Sequence, residues 1–152
     1  MTPQSTLKTM DFKLHQLSAE NLASIFNAAY MDAEAPEDSS ICIVEADVTQ
    51  FIGACNEGNF IRFGTQLRPP EGLNEKDLHK LITAFNEELN LVKVNIRKDD
   101  DDDLFMTFQY DYVVLKHDTI SAKTLVQLSR MFDDSMNYSY SVYGRLFAAQ
   151  AQ

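Results

Sequence analysis

The chain has 152 residues, 45% hydrophobic and 24% charged, the proportions of a folded domain rather than of a disordered chain. With 13 Lys and Arg against 23 Asp and Glu, the formal net charge is -10, which repels phosphate backbones and anionic headgroups and argues against nucleic-acid and membrane-surface binding. Only 5 Gly and 4 Pro leave no room for a linker, so residues 1–152 read as one domain with a core large enough to need neither metal nor disulfide.

The N-terminus carries Lys8 and Lys13 but no apolar run of the kind an export signal requires. No stretch approaches the roughly 18 apolar residues of a membrane span. The expected compartment is the cytoplasm. Phe12, Leu14 and Leu17 suit a short strand or an extended arm over residues 1–17. Ser18 then reads as an N-cap, followed by Leu22, Ile25, Phe26 and Ala29 at helical spacing. The polar segment 32–40, with Pro36, reads as a break.

Three strands follow. Residues 41–44 are short, β-branched and apolar; 51–55 continue the pattern; 60–63 resume it after the turn Asn56, Glu57, Gly58, Asn59, where Gly58 is the candidate for positive φ. Cys42 and Cys55 fall in the first two of these strands. A hairpin turning near 47–49 would bring the two sulfurs almost opposite each other, as a redox pair. Without export, both read more simply as small buried hydrophobes.

Pro69 and Pro70 end the third strand. Asn74 then caps the clearest helix, with Asp77 in its first turn and Leu78, Leu81, Ile82, Phe85 and Leu89 on one face. Val92, Val94 and Ile96 alternate with Lys93, Asn95 and Arg97 in the next strand. Beyond the aspartate run 99–103, Leu104, Met106, Phe108, Tyr110, Tyr112 and Val114 point one way, and Thr107, Gln109 and Asp111 the other. The predicted hairpin sets Val92, Val94 and Ile96 beside Phe108, Met106 and Leu104. Ser121 caps a last helix carrying Leu125, Leu128 and Phe132, and residues 137–152 read as its continuation or a restart. The order α-βββ-α-ββ-α predicts an α+β fold, an antiparallel sheet with helices on one face.

Chemistry is harder to find. Starting from Asp99, a calcium loop would place Leu104 where glycine belongs and Tyr110 where glutamate belongs. A solvated hairpin loop explains the five aspartates better. His15, His79 and His117 are scattered, and no metalloprotease, nucleophile-elbow, phosphate-loop or Cys-x-x-Cys motif is present. Glu45 with Asp47 is a weak acid–base candidate. No catalytic, metal or cofactor residue is assigned, and no cofactor is expected. What exceeds an ordinary core is aromatic: Tyr138, Tyr140, Tyr143 and Phe147 crowd one stretch that a single helix stripe cannot bury. Phe105 and Val113 give the outer face of the long strand an apolar character of its own.

The run from Leu78 through Phe85, Asn86, Glu87, Glu88, Leu89 and Asn90 to Lys93 and Val94 resembles the YbjN-like family of bacterial proteins, regarded as sensory-transduction regulators. An apolar helix leads into an Asn-rich segment and a Lys-Val strand. The acidic turn, long strand, cap and Phe132-bearing helix continue the likeness over residues 60–136. The resemblance implies a fold similar to class I type III secretion chaperones, which are small, acidic and usually dimeric, and it implies no catalytic residues. The expectation is a non-enzymatic protein that binds a protein partner, as a homodimer. Its two candidate surfaces are the outer sheet face with Phe105 and Val113 and the final helix packing alongside, which is favoured, and the tail with Tyr138, Tyr140, Tyr143 and Phe147. A regulator sensing a small ligand between sheet and helices, lined by Met106, Phe108, Tyr110 and Tyr112, is the alternative, and a thiol-dependent enzyme a more remote one.

Overall fold

A computed structural model describes residues 10–147. Among these residues, three α-helices, α1 (Ala19–Ala28), α2 (Glu75–Glu88) and α3 (Ala122–Phe147), start at the polar residues the sequence marks. Ser18 Oγ accepts the Asn21 N–H at 3.2 Å, Asn74 Oδ1 the Asp77 N–H at 2.8 Å and Ser121 Oγ the Thr124 N–H at 3.0 Å. Each cap satisfies an N–H that the first helical turn leaves without a partner, an effect of about 1 kcal/mol.

The described residues also form eight strands: β1 (Asp11–Phe12), β2 (Asp32–Glu34), β3 (Ile41–Glu45), β4 (Thr49–Cys55), β5 (Phe60–Leu67), β6 (Lys93–Lys98), β7 (Leu104–Val113) and β8 (Ile120–Ser121). The main sheet is antiparallel throughout, in the order β2-β3-β4-β5-β7-β6, and β1 pairs with β8. The fold is α+β, with one strand more in its sheet than the periodicity predicts. That strand, β2, lies in the segment read as a polar break. It has no apolar alternation to announce it and forms because β3 offers it a ladder and α1 holds its edge.

Both edges of the sheet are held in the same way. The Asn27 side chain on α1 donates to the Ala33 C=O and accepts the Ala33 N–H, each at 2.9 Å. On the opposite edge, the Asn86 side chain on α2 donates to the Val94 C=O at 3.0 Å and accepts the Val94 N–H at 2.8 Å. A carboxamide can stand in for one residue of a neighbouring strand, and here it occupies groups that would otherwise invite another chain.

The buried apolar side chains form one contiguous cluster reaching from Phe12, Leu14 and Leu17 to Val142 and Phe147. Residues 11–17 are therefore strand, one 3-10 turn and core rather than an extended arm; the rest of the proposed arm, residues 1–9, lies outside the described residues. Helix α3 runs unbroken through the aromatic stretch to Phe147, and residues 148–152 also lie outside the described residues.

Two local expectations are corrected. Positive φ in the β4–β5 turn belongs to Asn59 (φ 57), not Gly58. Gly58 is there for room, since a Cβ on it would lie 2.3 Å from the Phe60 ring. In the β6–β7 hairpin, Val94 faces Phe108 and Ile96 faces Met106, two residues from the predicted register. The Asp99 N–H bonds to the Asp103 C=O, which centres the hairpin on residue 101 and sets the pairing. A shift of two leaves every side chain on its predicted face.

Candidate interaction surface

Strand parity divides the sheet into two unlike faces. Cys42, Val44, Gln50, Ile52, Ile61, Phe63, Met106 and Phe108 are buried on the inner face, beneath the helices. Gln50 is the unexpected member. It is wholly buried, its Nε2 donates to the Ser129 C=O at 3.0 Å, and its Oε1 accepts from Ser129 Oγ at 2.8 Å. Met106 and Phe108 fill this core, Phe108 tilted against Phe85 at 5.4 Å. Tyr110 and Tyr112 pack against it, half-buried, and partial burial beside Tyr112 raises the Tyr110 hydroxyl above its usual range. Of the four residues expected to line a ligand site, Met106 and Phe108 are therefore buried and Tyr110 and Tyr112 partly so.

The outer face carries Ile41, Phe51, Gly53, Cys55, Phe60, Arg62, Gly64, Phe105, Gln109, Asp111 and Val113. Ile41 and Phe51, on adjoining strands, are 42% and 39% exposed, high for apolar side chains standing together, and Val113 is 63% exposed further across the face. Two glycines on adjacent strands, Gly53 and Gly64, lower the centre of the face. Around them lies a groove of about 490 Å³ walled by Ile41, Phe51, Phe60, Arg62 and Arg97. Arg62 pairs with Asp111 across the ladder at 2.9 Å, and that bond raises its pKa further. Its guanidinium stands 5.0 Å from the Phe60 ring centre, while Arg68 stands 5.7 Å from that of Phe105. These contacts immobilise cations over aromatic rings.

The six residues singled out in the sequence are thus separated. Phe105 and Val113 lie on this outer face, Phe105 half-buried and Val113 open. Tyr138 and Tyr140 are exposed on α3, at 47% and 56%. Tyr143 is half-buried with its ring 5.4 Å from that of Phe147, and Phe147 is buried in the core. Phe147 is therefore not a surface residue: at the end of α3 it turns inward with Val142 and Met136. Phe51, Ile41 and the glycine pair were missed, because in β4 polar Gln50 is buried and apolar Phe51 is exposed, against the usual parity signal.

The remaining chemical candidates do not converge. Cys42 faces the core opposite Ile52, whereas Cys55 is on the outer face opposite Phe60. The supposed pair is split by parity. Burial, helped by the charge of Glu34, pushes the Cys42 thiol up to about 11, far from thiolate chemistry. Glu45 accepts from the Thr49 hydroxyl and Asp47 from Asn137. Asp99 Oδ1 accepts the N–H groups of Asp101 and Asp103, shaping the acidic turn. Among the described residues, no group of three or more His, Cys, Asp or Glu side chains is placed to hold a metal ion, and no helix is long and apolar enough to cross a membrane.

These features define a two-layer α+β protein whose antiparallel sheet is covered by helices on one face and bare on the other. The fold is YbjN-like: the chain is similar to the crystal structure of YbjN from E. coli, described as a suggested transcription regulator, with a TM-score of 0.66 and 13% identity over 85% of this chain and 92% of that one. The likeness is one of fold. No family model matches the chain, and no curated protein matches it in sequence.

Proposed function

We propose that this is a non-enzymatic, cytoplasmic regulatory protein that acts by binding protein, as a homodimer, and that its working surface is the outer face of the sheet. The observation that carries the reading is the groove around Gly53 and Gly64, with Ile41 and Phe51 exposed along it. A face adapted only to water would carry polar residues at these alternating positions. The regulatory role described for YbjN is consistent with this reading, while fold alone does not transmit function.

Light scattering on the purified chain and on Phe51→Asp tests it. The expected result is a dimer at tens of micromolar for the wild type and a monomer with unchanged helix content for the variant. A wild-type monomer overturns the dimer. A Phe51→Asp variant that stays dimeric overturns the outer face as the working surface. Truncation after Asn137 is unsuitable, because it would remove Val142 and Phe147 from the core; Tyr138→Ser with Tyr140→Ser tests the tail instead.

A second reading has its own observation. Ile25, Ala28, Ala29, Ala122 and Val126 floor a groove of about 360 Å³ between α1 and α3, with Lys123 and Arg130 at its rim. Such a site suits a small apolar anion. A metabolite screen by thermal shift in which no anion raises the melting temperature removes this alternative.

A further inference from the structure

One row of the outer face crosses the whole sheet. The ladders align Glu34, Ile43, Phe51, Gly64, Gln109 and Lys93, one residue from each of the six strands in spatial order. Of its three mirror-related pairs, Ile43 with Gln109 is apolar against polar, and the other two are complementary. An acid at one edge answers a base at the other, and at the centre the largest side chain adjoins a residue with none. Among the described residues, neither Glu34 nor Lys93 has an ion-pair partner, and both are exposed.

Resting on the dimer reading above, we propose that a second copy of this chain covers the outer face about a two-fold axis running along the strands between β4 and β5. An axis in the plane between two facing sheets and parallel to the strands reverses strand order and preserves position along each strand. Phe51 then stands over the partner's Gly64, and its own Gly64 receives the partner's Phe51. Glu34 meets the partner's Lys93, and Lys93 the partner's Glu34. In the neighbouring row Ile41, Gly53, Arg62, Asp111, the same operation lays Arg62 over the partner's Gly53.

The other in-plane axis, running across the strands through this row, sets Glu34 on Glu34, Lys93 on Lys93 and Phe51 on Phe51. Like charges directly opposed and rings without a socket make that packing worse. Six strands at about 4.8 Å spacing and some six residues of about 3.3 Å give a flat face of about 480 Å² per copy, which puts the pair at the roughly 1,000 Å² total that marks the lower bound of a specific interface.

The test uses a distance that the fold itself imposes. Five inter-strand steps of about 4.8 Å put Glu34 about 24 Å from Lys93 within one chain, so the two side chains cannot pair there. Sedimentation equilibrium on the wild type, Glu34→Lys, Lys93→Glu and the double variant reads their coupling across the interface. Each single change is expected to weaken the dimer roughly tenfold or more, since two-fold symmetry counts each repulsion twice. The double change is expected to restore it. Gly64→Val, whose Cβ would lie 3.4 Å from the Phe108 carbonyl oxygen, is expected to fill the socket and weaken the dimer while the circular dichroism stays native. Single changes without double rescue, or a dimer indifferent to all four variants, overturn this packing and leave the dimer standing. A wild-type monomer at tens of micromolar overturns both.

Discussion

Gln50 joins the middle of the sheet to α3 through a reciprocal pair with Ser129, and both residues are wholly buried. Gln50→Met keeps the length of the side chain and removes its donor and acceptor. Ser129 Oγ then loses its acceptor in a fully buried site, a loss of about 1–3 kcal/mol, while the Ser129 carbonyl can still take its helical N–H. Ser129→Ala leaves Gln50 Oε1 without a donor, again about 1–3 kcal/mol, although Nε2 keeps the backbone carbonyl. Removing both polar groups together leaves much less unsatisfied, so the double variant should lose less than the sum of the two. With about 2 kcal/mol for each single change, the melting temperature should fall by about 4–8 °C for a domain near 150 residues. Urea denaturation followed by circular dichroism, run as a double-mutant cycle, should give a coupling energy of about 1–2 kcal/mol. Single losses below about 0.5 kcal/mol, or strict additivity, would refute the claim that this pair locks helix to sheet.

Three further outcomes are expected. Phe85 is buried against Phe108, so Phe85→Ala should cost about 3–5 kcal/mol in a denaturant titration; a loss under about 1 kcal/mol would place the wrong face of α2 inward. Asn86→Ala frees the Val94 N–H and C=O at the sheet edge, so hydrogen exchange at Val94 should accelerate and the protein should aggregate more readily on heating, whereas unchanged exchange would mean that the edge needs no cover. The Cys42 thiol is raised from 9.0 to about 11 in the fold; the unfolded chain therefore sheds this proton first, and Cys42 should erode stability as pH climbs from 9.0 towards 11, an erosion that Cys42→Ala abolishes. Equal pH slopes for wild type and variant in that range would contradict the burial of this thiol.

Much of the architecture is local and could be read from the chain. The caps at Ser18, Asn74 and Ser121, the stripe Leu78, Leu81 and Phe85, and the long alternation in residues 104–114 each act over a few residues, where spacing and propensity decide the outcome. Phe105 and Val113 could be assigned to the outer face for the same reason, because strand parity is a local property.

What escaped is what depends on a distant partner. In β4 the inner positions begin with polar Gln50 and the outer ones with apolar Phe51, the reverse of the usual signal. Only Ser129, 79 residues away, makes Gln50 a core residue. Strand β2 exists because Asn27 and β3 hold it. The cysteines are divided between two faces by the β3–β4 register, and Phe147 is buried because α3 carries it back over the core. The row from Glu34 to Lys93 is the clearest instance. Its six members are scattered through the sequence, and only the order of the strands, which hydrogen bonding and helix packing jointly select, sets an acid, a ring, a glycine and a base in one line.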